Sequence, residues 1–177
     1  MIWPFLMIYV SEKLNLSLST VSTLITINAI MGLFASFIAG SVSDKLGRKL
    51  VMVISLAVNG IGYLFMSQAH TYAGFAFMML LMGAANPLYQ VGSDAMLADM
   101  IPSEKRTNAY AVIRMVNNAG IALGPAIGGF IASRSYAFAG AAAGMITYSL
   151  LLAFRARETL NKAYLSSTKK KAEFLGG

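Results

Sequence analysis

The sequence predicts an all-α fold, a polytopic bundle of membrane helices. Hydrophobic residues make up 57% of the chain and charged residues 12%, with a mean hydropathy of +0.65. A soluble domain of 177 residues would need far more charge to cover its surface. The apolar stretches lack the strict alternation of barrel strands. Because lipid-embedded backbone must hydrogen-bond within itself, helices are the remaining solution.

Five uncharged stretches are long enough to cross a bilayer. Each offers the roughly 20 residues that about 30 Å of hydrocarbon requires. They occupy residues 14–43, 50–69, 71–93, 115–133 and 135–154. The sequence therefore predicts five full membrane spans.

A shorter apolar segment opens the chain at residues 1–10. Its helix would reach only about 15 Å, half of a bilayer. A signal peptide would need a basic start and a small-residue cleavage site, and neither is present. We expect the outer half of a first membrane helix, ended by residues 11–13, with Pro4 either kinking it or marking a break. The alternative is a naturally short protein with its own small first helix.

Six helical segments follow from these stretches. Their expected bounds are 1–10, 19–43, 50–68, 72–98, 108–132 and 136–154. The outside connections, at residues 11–18, 68–71 and 133–135, are short, so neighbouring helices should pack antiparallel. Residues 1–154 would form a six-helix half-bundle, and the polar, basic residues 155–177 would be a truncated cytoplasmic connector.

Basic residues are distributed unevenly in this chain of net charge +7. If residues 44–49 are cytoplasmic and the spans alternate, only Lys13 and Arg134 face outwards, and Arg114 lies inside a span. Eleven others face the cytoplasm: Lys45, Arg48, Lys49, Lys105, Arg106, Arg155, Arg157, Lys162, Lys169, Lys170 and Lys171. This positive-inside bias predicts a plasma-membrane protein with a cytoplasmic carboxy terminus. The charge reports topology, so no nucleic acid partner is expected, and the absence of cysteine excludes disulfides and thiol chemistry.

A compact charged group interrupts the apolar sequence at residues 40–49, which read G-S-V-S-D-K-L-G-R-K. We predict a ten-residue turn here. Gly47 would let the backbone turn where a side chain would obstruct it. Asp44 can accept backbone N–H groups or bind a cation, and Arg48 offers a planar fork suited to a carboxylate.

This group resembles the loop between helices 2 and 3 of the major facilitator superfamily, G-x-x-x-D-(R/K)-x-G-(R/K)-(R/K). All six defined positions are filled, by Gly40, Asp44, Lys45, Gly47, Arg48 and Lys49. The resemblance implies a cytoplasmic latch that stabilises the outward-open state. Its Asp would engage a helix of the other half, and its Arg would meet an acid at the end of helix 4, best matched by Asp99. The alternative is a basic anchor without a gating role.

Small residues at four-residue spacing predict close helix contacts in two places. One ridge comprises Gly32, Ser36 and Gly40, and the other lies in a G-x-x-x-G-P-x-x-G-G pattern formed by Gly120, Gly124, Pro125, Gly128 and Gly129. Pro125 would remove a backbone hydrogen bond and bend its helix. The pattern resembles the antiporter motif of the drug-exporting branch, although Ala111 stands where that motif has another glycine. Ordinary small-residue packing is the alternative.

Polar residues inside the predicted spans are candidates for a cavity or for ion coupling. Asp94 and Arg114 lie at similar depths in consecutive segments, and a lone charge in hydrocarbon is costly, so we predict that they form a buried ion pair. The uncharged candidates are Asn28, Asn86, Tyr89, Gln90, Asn117 and Asn118. Helical spacing places Asn86 and Gln90 on the face of Asp94, and Asn117 and Asn118 on that of Arg114. Interhelical hydrogen bonding is the alternative for each.

The resemblance implies the amino-terminal half of a transporter that works by alternating access and exports drug-like molecules in exchange for protons. Its partners would be membrane lipid, a small-molecule substrate, protons and a missing carboxy-terminal half. No cofactor, metal or enzyme activity is expected. The membrane-embedded Arg that is common in helix 4 of proton-driven exporters is missing from residues 78–83. The alternatives are a superfamily carrier of a sugar or other metabolite, and a non-transporting membrane fragment or helical partner protein.

Overall fold

The computed structural model describes residues 3–130 and 134–159. In this part of the chain the fold is all-α, which confirms the predicted fold class. The helices are α1 (Trp3–Leu14), α2 (Leu18–Leu46), α3 (Arg48–Gln68), α4 (Tyr72–Met100), α5 (Ser103–Phe130) and α6 (Arg134–Arg155).

The first helix ends later than the sequence predicted. α1 continues through residues 11–13 to Leu14, because polar side chains at a solvated helix end do not interrupt the backbone hydrogen bonds. Asn15 follows with a φ of 51°, a conformation that Asn adopts more readily than most residues. Ser17 then caps α2, its Oγ accepting a hydrogen bond from the Thr20 N–H at 3.3 Å. Pro4 lies in the first turn of α1, where a missing N–H is tolerated.

The predicted ten-residue turn at residues 40–49 is wrong. α2 continues to Leu46 and α3 begins at Arg48, so that Gly47 alone separates the two helices. The side chains of Asp44 and Lys45 are exposed, and hydrated charges are compatible with a continuing helix.

Four helices pack in the order α2, α4, α3 and α6. Glycines set the closest approaches. A Cβ added to Gly83 of α4 would lie 2.5 Å from the Asn28 carbonyl oxygen of α2, and one added to Gly60 of α3 would lie 3.3 Å from the backbone nitrogen of Ile146 in α6. Small residues thus let these backbones pack closely, as in other membrane bundles.

A cluster of buried apolar residues lies at the end of the bundle opposite Gly47. It comprises Leu6, Val10, Val21, Leu24, Met66, Phe75, Met79, Met82 and Phe138. The Tyr9 ring of α1 packs 4.9 Å from the Phe138 ring. Lys13 Nζ donates a hydrogen bond to the Ser67 carbonyl of α3 at 3.0 Å. These contacts attach α1 to the ends of α3 and α6 that lie opposite Gly47.

Four described helices are long and apolar enough to cross a membrane: α2, α3, α4 and residues 138–155 of α6. The sequence predicted five full spans, and α5 accounts for the difference. Arg114, Asn117 and Asn118 lower its hydropathy, and the span expected at 115–133 runs into residues outside the described ones. Large apolar side chains such as Phe37 and Phe154 lie on the outside of the bundle, which suits helices surrounded by lipid.

Candidate functional site

Gly47 joins α2 to α3 in a backbone conformation that favours glycine, with φ 104° and ψ 137°. Its N–H donates to the Ser43 carbonyl at 3.1 Å and completes α2. Its own carbonyl accepts from the Val51 N–H at 3.1 Å and begins α3. The sharp turn predicted at Gly47 is confirmed.

Arg48, the first residue of α3, reaches the end of α4. Its Nη1 forms an ion pair with the Asp99 carboxylate and donates to the Ala95 carbonyl at 3.1 Å. The Arg48 side chain is 17% exposed and that of Asp99 34%, so the pair is partly shielded from water. The contact predicted between Arg48 and an acid at the end of helix 4 is therefore present.

The other charged residues of the junction lie around this pair. Arg48 Nη2 lies 3.8 Å from Asp44 Oδ1, four residues earlier, and the Asp44 side chain is half exposed. Lys45 is exposed and Lys49 is half-buried.

No described helix makes the close contact predicted at Gly40. An added Cβ there would meet no heavy atom of the described residues within 4 Å. The buried residues in this part of α2 are Ala35, Ala39 and Ser43, and Gly40 lies about 100° around the helix from that face. Gly32 does face α4, since its added Cβ would lie 3.5 Å from the Gly83 carbonyl oxygen.

Glu158, in the segment after α6, lies against the first turn of α3. Its Oε1 accepts a hydrogen bond from the Arg48 N–H and its Oε2 one from the Lys49 N–H, both at 3.1 Å. The first N–H groups of a helix have no partner within it, and a helix N-terminus favours negative charge. Glu158 is not among the residues predicted from the sequence. Its partners are backbone groups 110 and 109 positions away, which carry no residue-type signal.

Asn86, Gln90 and Asp94 lie exposed along one face of α4, as their spacing predicted. Gln90 Nε2 donates to both carboxylate oxygens of Asp94 at 3.2 Å. The Tyr110 hydroxyl of α5 donates to the Asp94 backbone carbonyl at 3.0 Å. This face therefore presents a carboxylate and two amides in a row.

The predicted ion pair between Asp94 and Arg114 is wrong. Both side chains are exposed, and within the part of the chain that the structure describes no ion pair joins them. Gln90, on the same helix as Asp94, supplies hydrogen bonds to its carboxylate instead. Similar depth on two helices does not fix how each is rotated about its own axis, so it does not decide which side chains meet.

The polar face of α5 is open. Arg114, Asn117 and Asn118 are exposed, and Gly120 is half-buried. α5 is a single helix through Pro125 to Phe130. The packing predicted for Gly124, Pro125, Gly128 and Gly129 falls on side chains outside those that the structure describes.

Asn28 connects α2 to α4 at their closest approach. Its side chain is half-buried, and its Nδ2 donates to the Met79 carbonyl at 2.8 Å. This contact favours the packing role for Asn28 over a role in a cavity.

Tyr89 and Tyr148 link α4 to α6. Their hydroxyl oxygens lie 3.2 Å apart, and their rings are T-shaped with centroids 6.3 Å apart. Tyr89 precedes Gln90, so this contact extends the polar surface of α4 towards α6. Tyr148 is not among the candidates predicted from the sequence. A tyrosine within an otherwise apolar span was the available signal.

Comparison with known proteins decides the family, since the model of the Major Facilitator Superfamily matches residues 1–176. The chain belongs to the Major Facilitator Superfamily. The family predicted from the two sequence motifs is confirmed. Membership in this superfamily, together with the apolar helices, makes the chain a multi-pass membrane protein of a transporter family rather than of an enzyme family.

Several similar superfamily members carry names related to transport. The uncharacterized MFS-type transporter YhjO of Bacillus subtilis is 29% identical over 90% of this chain and 40% of its own length. A Na(+), Li(+), K(+)/H(+) antiporter of Planococcus maritimus is 30% identical over 96% of this chain and 41% of its own. The quinolone resistance protein NorA of Staphylococcus aureus is 28% identical over 75% of this chain and 34% of its own length. The chain thus spans about two fifths or less of the length of these relatives.

Proposed function

We propose that this chain forms the amino-terminal half of a transporter that exports drug-like molecules in exchange for protons by alternating access. Superfamily membership supports transport. The relatives named as an antiporter and as a quinolone resistance protein support export coupled to cation exchange. In this proposal residues 1–154 are the half-bundle. The α2–α3 junction and the segment from residue 155 onwards face the cytoplasm.

The observation that carries the proposal is the ion pair between Arg48 and Asp99. It joins the α2–α3 junction to the end of α4, so three helix ends are held together at one end of the bundle. Alternating access needs each half to move as a rigid body. Asp44, half exposed beside Arg48, is the residue that would contact the carboxy-terminal half.

Asp94 is the proposed protonation site of this half. An ionisable side chain within a membrane bundle is a functional candidate by default. Its carboxylate lies on an exposed face of α4, and Gln90 orients it with two hydrogen bonds. Asn86 on α4, and Arg114, Asn117 and Asn118 on α5, would complete the polar lining of the cavity.

Exchange of alkali cations for protons is a second candidate. The relative with that name is 30% identical over 96% of this chain. The exposed Asp94 carboxylate could pair with an alkali cation as well as with an organic cation. Whether the cell loses sodium or an organic dye separates the two candidates.

The test is co-expression of this chain with a matching carboxy-terminal half in bacterial cells. We expect the pair to accelerate efflux of ethidium, and an uncoupler that collapses the proton gradient to stop it. Asp94→Asn should abolish this efflux, whereas Glu104→Gln, at the exposed start of α5, should not. Sodium efflux without ethidium efflux would support the second candidate. Sugar uptake instead would favour a metabolite carrier, and no transport of any of these would favour a non-transporting fragment.

A further inference from the structure

We propose that Glu158 is a positioning residue that holds Arg48 where its guanidinium can reach Asp99. The residue lies in the segment after α6, yet its carboxylate binds the first turn of α3. Each carboxylate oxygen accepts one backbone N–H of that turn at 3.1 Å. The Thr159 N–H also donates to Oε1 at 3.1 Å, so the carboxylate is bound by its own segment as well.

Gly47 leaves room for this carboxylate. A Cβ added at Gly47 would lie 2.6 Å from Glu158 Oε2. Glycine at this position therefore has two functions, because it adopts the positive φ of the junction and it admits the Glu158 side chain beside the backbone.

Arg48 is held at both its backbone and its side chain. Glu158 binds its N–H, while its guanidinium binds the Ala95 carbonyl and the Asp99 carboxylate. As the first residue of α3, Arg48 has no N–H partner within the helix, and an uncapped first turn frays. Glu158 thus acts on the ion pair through the backbone of Arg48.

The consequence is a physical connection between the segment after α6 and the proposed latch. Displacement of residues 156–159 would withdraw Glu158 from α3, loosen its first turn and weaken the pairing of Arg48 with Asp99. This role rests on the proposed function, in which that segment leads to the moving carboxy-terminal half. The latch would then respond to the position of the connector.

The first experiment measures how well the Glu158 carboxylate protects the Arg48 and Lys49 amides from hydrogen exchange. It uses the purified 177-residue chain in lipid nanodiscs. Glu158→Ala should speed amide hydrogen exchange at Arg48 and Lys49 about tenfold, since an amide loses a hydrogen bond to a charged group. Glu158→Gln keeps one accepting carbonyl oxygen, so one of the two amides should stay protected. Glu104→Gln, the matched acidic control, should leave both amides unchanged. Exchange within about twofold of the parent in Glu158→Ala overturns the proposal. Should that variant not fold, unchanged exchange at both amides of Glu158→Gln overturns it instead.

The second experiment measures positioning. The chain has no cysteine, so Leu50→Cys and Met100→Cys can carry a specific pair of spin labels across the α3–α4 contact. Glu158→Ala and Asp99→Asn should each broaden the distance distribution. Together they should broaden it no more than Asp99→Asn alone, because both act through Arg48. A purely structural role of Glu158 would give additive effects and would overturn the proposal.

Efflux by the two-half transporter separates failure of this role from failure of the proposed function. If Asp99→Asn lowers efflux and Glu158→Ala does not, the positioning role is overturned and the proposed function stands. If Asp99→Asn leaves efflux unchanged while Glu158→Ala still exposes the two amides, the cap is supported and the proposed latch is overturned.

Discussion

The Arg48 guanidinium binds the Asp99 carboxylate between the start of α3 and the end of α4. Each charge lies at the unfavourable end of its own helix, since a helix N-terminus repels cations and a C-terminus repels anions. The ion pair compensates the unfavourable interaction of each charge with its own helix end. Glu158 supplies the negative charge that the N-terminus of α3 itself prefers.

Removing one partner of this pair should destabilise the bundle. We expect Asp99→Asn to lower the free energy of unfolding by about 1 kcal/mol, because Arg48 would stay mostly buried without its anion. Thermal unfolding in detergent measures this change. Asp44→Asn is the control, since its pair is longer and half exposed, and it should cost less than about 0.5 kcal/mol. Equal effects of the two variants would contradict the importance of Asp99.

Gly47→Ala should destabilise the chain more than any other alanine substitution at the junction. It combines a positive φ with a clash against Glu158, and we expect a loss of about 2 kcal/mol. The matched control is Gly40→Ala, whose Cβ meets no described heavy atom within 4 Å. That change should be neutral or slightly stabilising, because alanine favours helix. Denaturant or thermal unfolding of both variants provides the comparison.

Gly83→Ala should separate α2 from α4. The new Cβ would lie 2.5 Å from the Asn28 carbonyl oxygen and 3.1 Å from the Asn28 Cα, and backbone cannot give way easily. We expect a loss of about 1–3 kcal/mol in unfolding free energy, as for other overpacked sites. Gly144→Ala, where the space is open, should unfold like the parent chain.

Membrane orientation can be read from single cysteines, because the chain contains none. Leu46→Cys, beside the proposed cytoplasmic junction, should react with a membrane-impermeant maleimide only after cells are permeabilised. His70→Cys, between α3 and α4, should react in intact cells. The reverse pattern of labelling would place the junction outside and remove the basis of the latch.

The contact between the Ser103 hydroxyl and the Glu104 carboxylate, at the start of α5, should depend on pH. Both residues precede the membrane segment expected from residue 108. The pKa of Glu104 is lowered, first by a hydrogen bond from its own backbone N–H and then by the Ser103 hydroxyl. Because the folded pKa lies below the ordinary 4.5, this contact stabilises the first turn above that pH and is lost as the pH falls through the lowered value. Ser103→Ala should raise the Glu104 pKa in an NMR titration of its carboxyl carbon. An unchanged pKa would show that the hydroxyl plays no part.

The sequence predicted the contacts that depend on residue type in an apolar background. Gly47 stood out because a junction between helices needs a residue that tolerates positive φ. Arg48 and Asp99 stood out because charged residues are scarce in this chain. The two residues lie at the start of α3 and the end of α4, which meet at the same end of the bundle. Contacts of this kind can be predicted without knowing how each helix is rotated about its axis.

The predictions that differ from the structure depend on how each helix is rotated about its axis, or on hydrogen bonds to backbone groups. Gly40 and Arg114 were placed correctly along their helices, but the sequence does not fix which way each helix face turns. Glu158 binds amides that every residue possesses, so no pattern of side chains could identify its partners. The helix ends at Leu14 and Leu46 lie beyond their predicted positions, because hydrated charged residues are compatible with a continuing helix.

A change in the backbone dihedrals of Gly47 would act over a long lever arm. The 21-residue α3 extends roughly 30 Å beyond it, so a change of about 10° at this single residue would shift the far end by about 5 Å. Met66, near that far end, is fully enclosed by neighbouring side chains and resists such a swing. A dihedral change at Gly47 would therefore be resisted at the opposite end of the bundle, and any tilt of α3 would have to move the helices packed around Met66 as well.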